Sequence, residues 1–405
     1  MHVGVGAGAV SIDLAARAGP ALLLLVVGVV ALRVKQVTPL STTAMDFLPF
    51  LQAGDAVLVG ATPFAITRFL YPPFAALLAT AAARVDPSTW QYLIPTIHAM
   101  CVIALVGLSA RLVGLSPLSR VAALVVLVLF LPGSSLGTDL WLGNIDIVLF
   151  VALPVVLLLW SAGRWRSGGV LLGVTAAVKP VLLPFMGLAV VTARWRALLA
   201  GAGVALGLNL IAAAAVPEPL RWFSQTVPFV LSGQDEFSQP WDGSLLTSLT
   251  EWGVDAWLVT TARVAVTAAT LVAAWLHLRW AEDRSTLGLI QGGSLLYIGA
   301  LLAGSPAFAR YFIALVPLVM TVVYCDAWAR VPWLWLPFVP LAVGWGAMPL
   351  EAGRLATVSF LSIWAVMLLL VVRDLTRQRP GVTSDPGSAR RVLATPVALF
   401  SRRWA

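Results

Sequence analysis

The sequence predicts an all-α, polytopic transmembrane protein with about 10 full spans plus short or re-entrant helices. Three observations carry that prediction. Hydrophobic residues make up 60% of the 405 and charged residues only 11%, against about 45–50% and about 25% in soluble domains. Mean hydropathy is +0.93, and many apolar runs approach the roughly 20 residues that cross a bilayer. The alternating segments of about 10 residues that mark a membrane β-barrel are absent from the sequence. That leaves helices as the way to satisfy the backbone in hydrocarbon.

The apolar runs fall near 17–35, 90–110, 119–132, 144–161, 195–216, 256–278, 287–304, 308–325, 332–348 and 355–372. Ala21–Leu32 follows Arg17 without a small-residue cleavage site, so the first run is expected to be an uncleaved span. Two further pieces, 71–84 and 168–192, are broken or headed by proline: Tyr71-Pro72-Pro73 in one, Lys179-Pro180 and Pro184 in the other.

Arginine orients the spans, because cytoplasmic edges collect positive charge. Arg111 and Arg120, Arg164 and Arg166, Arg194 and Arg196, Arg279 and Arg284, Arg330 and the tail from Arg373 should share the cytoplasmic side. Segments 36–70, 133–143, 217–255, 304–309 and 349–354 fall outside. The two pairs at 164/166 and 194/196 then lie on one face, although an apolar segment separates them. A plain kinked span and a hairpin are both open for 168–192; the hairpin would put Lys179-Pro180 at its turn. Such broken helices are tolerated where protein buries them or a cavity is lined. Segment 71–84 reads as a similar short element on the outer side. Residues 1–375 form one integral membrane domain with its site at the periplasmic face, and 376–405 an Arg-rich cytoplasmic tail expected to be disordered.

The net charge of +8 is almost all arginine and follows from membrane topology, so no nucleic-acid partner is implied. Cys101 and Cys325 read as small buried residues in apolar runs. No metal-ligand spacing is present, and neither is a phosphate-binding glycine loop, a nucleophile elbow or a nucleotide fingerprint. No cofactor is implied. Any chemistry belongs to the outer membrane face, without ATP.

Several polar residues stand where they need a reason. Asp46 follows the first span, and Phe47, Leu48, Pro49 and Phe50 follow it. It is a solvated loop acid or a general base, and the apolar setting favours the base over its neighbour Asp55. Lys179 lies inside Val174–Leu183. An ionisable residue in a bilayer is costly and points to function, here with an anionic headgroup such as a lipid phosphate; a snorkelling side chain is the alternative. Asn144 and Asp146 open a span from outside, either binding sugar hydroxyls or capping the helix. Arg310-Tyr311 opens another, with a phosphate as the arginine's natural partner. Tyr71-Pro72-Pro73 alone starts many helices. His98 reads as a packed residue, and Trp222, Trp241, Trp252 and Trp257 as interfacial anchors.

Taken in order, these residues resemble a family. Asp46, Tyr71-Pro72-Pro73, Gly143-Asn144-Ile145-Asp146 and Gly173-Val174-Thr175-Ala176-Ala177-Val178-Lys179-Pro180 are similar to the GT-C glycosyltransferases that use polyprenyl-phosphate sugars in mycobacteria. Arg194-Trp195-Arg196-Ala197-Leu198 and Trp222–Leu231, followed by Asp235 and Phe237, bring the likeness nearer to the α-(1→3)-arabinofuranosyltransferases that branch arabinan. The resemblance runs over most of 40–325. It implies a decaprenyl-phosphate-linked arabinofuranose donor, an arabinan or glycolipid acceptor and an inverting transfer in the plasma membrane, facing the periplasm. Asp46 matches the family's first-loop acid as general base. Lys179, and second to it Arg310, would meet the donor phosphate; Tyr71, Asn144, Asp146, Asp55 and Tyr311 would line the substrate. Asp146 departs from the neutral residue more usual there. The resemblance calls for no metal. A polyprenyl-phosphomannose-dependent α-mannosyltransferase, a lipid or solute transporter and a non-catalytic assembly subunit are the other readings.

Overall fold

A computed structural model describes residues 14–38, 43–131, 142–232, 239–280, 286–337 and 349–377. Among these the architecture is helical throughout, with a single isolated β-bridge between Arg17 and Ser119. The helices that position the site are α1 (Pro20–Val37), α2 (Leu48–Leu58), α3 (Pro73–Ala83), α4 (Pro87–Leu112), α5 (Arg120–Phe130) and α6 (Asp146–Ser161). They continue as α7 (Trp165–Val178), α8 (Trp195–Ala213), α9 (Leu245–Glu251), α10 (Ala256–Trp280), α11 (Thr286–Ala303) and α12 (Pro349–Arg377).

Six described helices are long and apolar enough to cross a membrane: α1, α4, α8, α10, α11 and the 353–377 part of α12. The runs read at 119–132, 144–161 and 308–325 are present as shorter apolar helices, Arg120–Phe130, Asp146–Ser161 and Ala309–Val323. Most of the 332–348 run lies outside the described residues. The chain is an all-α multi-pass membrane protein, and its surface fits that solvent. Leu24, Val27, Leu199, Leu206, Leu210 and Ile211 are all more than half exposed, as suits side chains whose solvent is lipid.

Helix starts follow local rules. Asp86 accepts from the Ser88 amide at 2.8 Å ahead of Pro87, and proline also opens α1 and α3, using the first-turn positions where no N–H is needed. Ser119 caps α5 and Ser244 caps α9 through the amides of Ala122 and Thr247.

The broken segment at 168–192 turns back on itself. A Cβ at Gly169 would lie 2.3 Å from the Ala197 carbonyl oxygen, and one at Gly173 would lie 2.3 Å from that of Gly201. Both helices therefore advance in the same direction, so α7 and α8 are parallel. Two parallel neighbours need a return strand of chain between them. Lys179 breaks the first helix with an extended backbone (φ −159°, ψ 130°), and Pro180–Val191 descends to Arg194. The Arg194 guanidinium lies 5.2 Å from the Trp165 ring, which puts both arginine pairs at one end of the molecule. At 1.5 Å per residue α7 lifts Lys179 roughly 21 Å from that end.

Two apolar clusters form the interior. The larger runs through α4–α7, α11, Ala309–Val323 and α12. The smaller gathers Phe47, Phe50, Phe69, Tyr71, Ile94 and Val178 at the end of α7 that carries Lys179. His98 is fully buried, as expected of a packed histidine. Cys325 corrects the sequence reading: it is exposed, at a turn between short helices where no packed run covers it, and Cys101 is only half-buried.

Candidate active site

Four separate stretches deliver ionic groups to one place. Asp46 arrives on the turn before α2. Its amide donates to the Leu142 carbonyl at 2.8 Å, which ties the turn to the strand of chain leading into α6. Two residues earlier Ala44 is held at φ +63°, a left-handed conformation that a Cβ disfavours. Gly143, at φ +80°, passes so close that a Cβ would lie 2.9 Å from the Ala44 Cα. Backbone strain and a glycine contact therefore fix the acid's approach.

Asn144 connects the charges. Its Nδ2 donates to Asp46 Oδ2 at 3.3 Å, and its Oδ1 accepts from Lys179 Nζ at 3.0 Å. Lys179 Nζ also stands 2.8 Å from both oxygens of Asp146. Arg310 Nη1 lies 3.6 Å from Asp46 Oδ2, an ion-pair distance. Its guanidinium sits 4.3 Å from the Phe308 ring and 5.7 Å from that of Tyr311. The chain of contacts thus runs Arg310, Asp46, Asn144, Lys179, Asp146.

Tyr71 packs under this cluster, with Lys179 Nζ 5.3 Å from its ring centroid. Burial, then the carboxylates of Asp146 and Asp46, push its phenol far above the ordinary range, with Arg310 opposing them. It is a neutral hydroxyl at any working pH. Next to it, the amide of Phe74 donates to Asn209 Oδ1 on α8 at 3.0 Å, so Tyr71-Pro72-Pro73 is docked as well as helix-starting. Phe47, Phe50, Phe69 and Tyr71 pack as a run of rings 5.3–6.4 Å apart beneath the polar groups.

Exposure differs sharply across the four ionic side chains. Asp146 has none and Arg310 has 12%, whereas Lys179 has 20% and Asp46 has 28%. The acid read as the base is the most open group of the cluster. Two cations face two carboxylates, so the site carries no net charge.

Of the residues singled out in the sequence, the structure gathers Asp46, Tyr71, Asn144, Asp146, Lys179 and Arg310. Tyr311 is buried beside Arg310, its ring 6.4 Å from that of Phe150. Asp55 is not brought in; it is exposed on α2, whose neighbouring Gly54 is packed against Ala79 of α3. Trp222, expected as an interfacial anchor, is partly buried against the smaller apolar cluster. Trp252 and Trp257 are well exposed, as anchors would be. Among the described residues no three His, Cys, Asp or Glu side chains gather as metal ligands do.

The chain belongs to glycosyltransferase family 87, whose model matches residues 69–306. Asp46 and Arg310 lie just outside that range and are joined to it by the contacts above. The α-(1→3)-arabinofuranosyltransferase of Mycobacterium tuberculosis (strain H37Rv) is 29% identical over 261 residues, 63% of this chain and 59% of the relative. The protein of the same name from Mycolicibacterium smegmatis is 27% identical over 313 residues, covering 75% and 71%. A polyprenol-phosphate-mannose-dependent α-(1-2)-phosphatidylinositol pentamannoside mannosyltransferase of M. smegmatis is 29% identical over 316 residues, covering 72% and 71%. No solved structure matches the chain significantly.

Proposed function

We propose that this protein is an inverting membrane glycosyltransferase that moves arabinofuranose from decaprenyl-phosphate-arabinose to a periplasmic arabinan acceptor of arabinogalactan or lipoarabinomannan, forming an α-(1→3) linkage. The observation that carries the reading is the Asp46–Asn144–Lys179–Asp146 network with Arg310 against it. The names and coverage of the relatives support the class of donor.

Inversion needs one base on the face opposite the leaving group. The Asp46 carboxylate takes the proton of the acceptor hydroxyl. The hydroxyl oxygen bonds to the anomeric carbon as the bond from that carbon to the phosphate oxygen breaks. Decaprenyl phosphate leaves as an anion, and cations aimed at it stabilise the charge that develops. Sequence reasoning ranks Lys179 first for that task, but the geometry favours the reverse order. Lys179 is committed to Asp146 and Asn144 at 2.8–3.0 Å, and Arg310 stands directly beside the base, 3.6 Å from Asp46 Oδ2. In this reading Arg310 takes the phosphate, and the Lys179–Asp146 pair holds Asn144 and, through it, the base. The neutral phenol of Tyr71 is a donor for a phosphate or sugar oxygen. Arginine pairs at the opposite end support a site on the periplasmic face, by the positive-inside bias.

The test is Asp46→Asn, with donor binding and turnover measured separately. Binding should survive while turnover falls by on the order of 10²–10⁴, the contribution of a general base. Near-normal turnover would remove Asp46 from the mechanism.

A second reading is kept by the mannosyltransferase relative: the same groups would serve a polyprenyl-phosphomannose donor. Assaying the purified protein with each lipid-linked sugar separates the two. Transfer of mannose and not arabinose would overturn the donor chosen here.

A further inference from the structure

The geometry points to Asp242 as a positioning residue that sets Arg310 against the donor phosphate. The inference rests on the role just proposed for Arg310 and extends it to a residue far away in sequence. Asp242 is one of several acids in the 217–255 segment, yet it is 1% exposed. Its carboxylate takes five hydrogen bonds. Oδ1 accepts from the Ser244 amide at 2.9 Å and the Ala307 amide at 2.7 Å. Oδ2 accepts from the hydroxyls of Ser244 at 3.0 Å, Thr247 at 2.8 Å and Ser305 at 2.8 Å. Burying a carboxylate is costly unless its oxygens are satisfied, and among the described residues it is neutral donors that satisfy them.

Two of those donors belong to the loop that delivers Arg310. The peptide of Ala307 is gripped at both ends, because the Gly243 amide also donates to the Ala307 carbonyl at 2.8 Å. The other end of the loop is held by Arg263 Nε on the Ala303 carbonyl at 2.6 Å. Phe308 comes next and lays its ring 4.3 Å from the Arg310 guanidinium. The Asp242 turn is itself seated on α12. A Cβ at Gly353 would lie 2.8 Å from the Pro240 carbonyl oxygen, and one at Gly243 would lie 2.7 Å from the Ala356 Cβ. A path of direct contacts thus leads from α12 through Asp242 and Ala307 to Arg310 and on to Asp46.

The experiment is a double-mutant cycle in the full chain: Asp242→Ala, Arg310→Ala and both together, assayed with decaprenyl-phosphate-arabinose and an arabinan acceptor. Amide hydrogen exchange over 304–310 is followed in parallel. Asp242→Ala should lower kcat/KM for the donor by about 10- to 100-fold, as misplacement of a positioned group does, and should speed exchange at Ala307. With Arg310 already replaced, losing Asp242 should change activity by less than about threefold, since the two act through one contact. Asp242→Asn should recover most of the loss, because its Oδ1 still accepts from the two backbone amides and its Nδ2 can donate to two of the three hydroxyls with their bonds reversed. If Asp242→Ala does not fold, Ser305→Ala enters the same cycle in its place. Full multiplication of the two losses, or unchanged exchange at Ala307, overturns the inference. Should the unaltered protein transfer neither sugar, the proposed reaction falls, and exchange still decides whether Asp242 clamps the loop.

Discussion

Replacing Lys179 with methionine isolates the most costly contact in the site. Asp146 has no exposed surface, and its two oxygens both stand 2.8 Å from Lys179 Nζ. Among the described residues Asp146 Oδ1 has no other hydrogen-bond partner. Lys179→Met therefore strands a buried carboxylate. Breaking a buried pair from one side costs about 3–5 kcal/mol. Lys179 keeps 20% exposure, so water can enter the space it vacates, and the expected loss is the lower end, about 3 kcal/mol. Removing both charges is another matter: Lys179→Met with Asp146→Leu should return to within about 1 kcal/mol of the parent, because neither desolvated ion remains. The assay is unfolding in mixed detergent micelles for the two single variants and the double variant. A single-variant loss below about 1 kcal/mol, or a double variant no more stable than Lys179→Met, would refute the view that this pair is a desolvated ion pair. Transfer activity should be lost in both variants, since Asn144 loses the partner that orients it toward Asp46.

Other perturbations follow from the same contacts. Gly143→Ala adds a methyl 2.9 Å from the Ala44 Cα at a φ of +80°; it should cost about 1–3 kcal/mol and lower the transfer rate by about 10²-fold by displacing Asp46. Initial rates and thermal unfolding check both effects. Gly173→Val drives α7 from α8 by meeting the Gly201 carbonyl oxygen, for an expected loss of about 1–3 kcal/mol in detergent unfolding. Asp55→Asn, on an exposed face of α2, should leave turnover within about twofold, and a larger loss would return Asp55 to the list of candidate bases.

The gathering of the site was partly legible because polar residues in a greasy chain are few and costly. Asp46, Asn144, Asp146, Lys179 and Arg310 each stood out against apolar neighbours, and the arginine edges assigned them to one face. What linear order could not supply was pairing. Lys179 and Asp146 are 33 positions apart, and only the return of chain after Lys179-Pro180 sets the amine against that carboxylate. The hidden pairing is why Lys179 reads from sequence as a cation awaiting a phosphate. Asp242 was harder still. The sequence shows one acid among several in an outer segment, and its only local sign is the Asp-Gly-Ser turn before a helical run. Its partners Ser305 and Ala307 come from the far side of α10 and α11. Trp222 was hard to place for a similar reason: an aromatic in an outer loop looks the same whether it meets a membrane interface or packs against an apolar cluster.

By itself, then, the sequence determined the solvent and the class. Composition fixed a helical membrane protein, because hydrocarbon forbids unsatisfied backbone. The order of short motifs pointed to the glycosyltransferase family, and a scarcity of charge marked which side chains matter. Tertiary structure decided which of those charges pair with one another, which is most exposed and which is wholly buried. These are questions of distance and burial, and in a low-dielectric interior a few ångströms decide whether a carboxylate is a base, a counter-ion or an anchor.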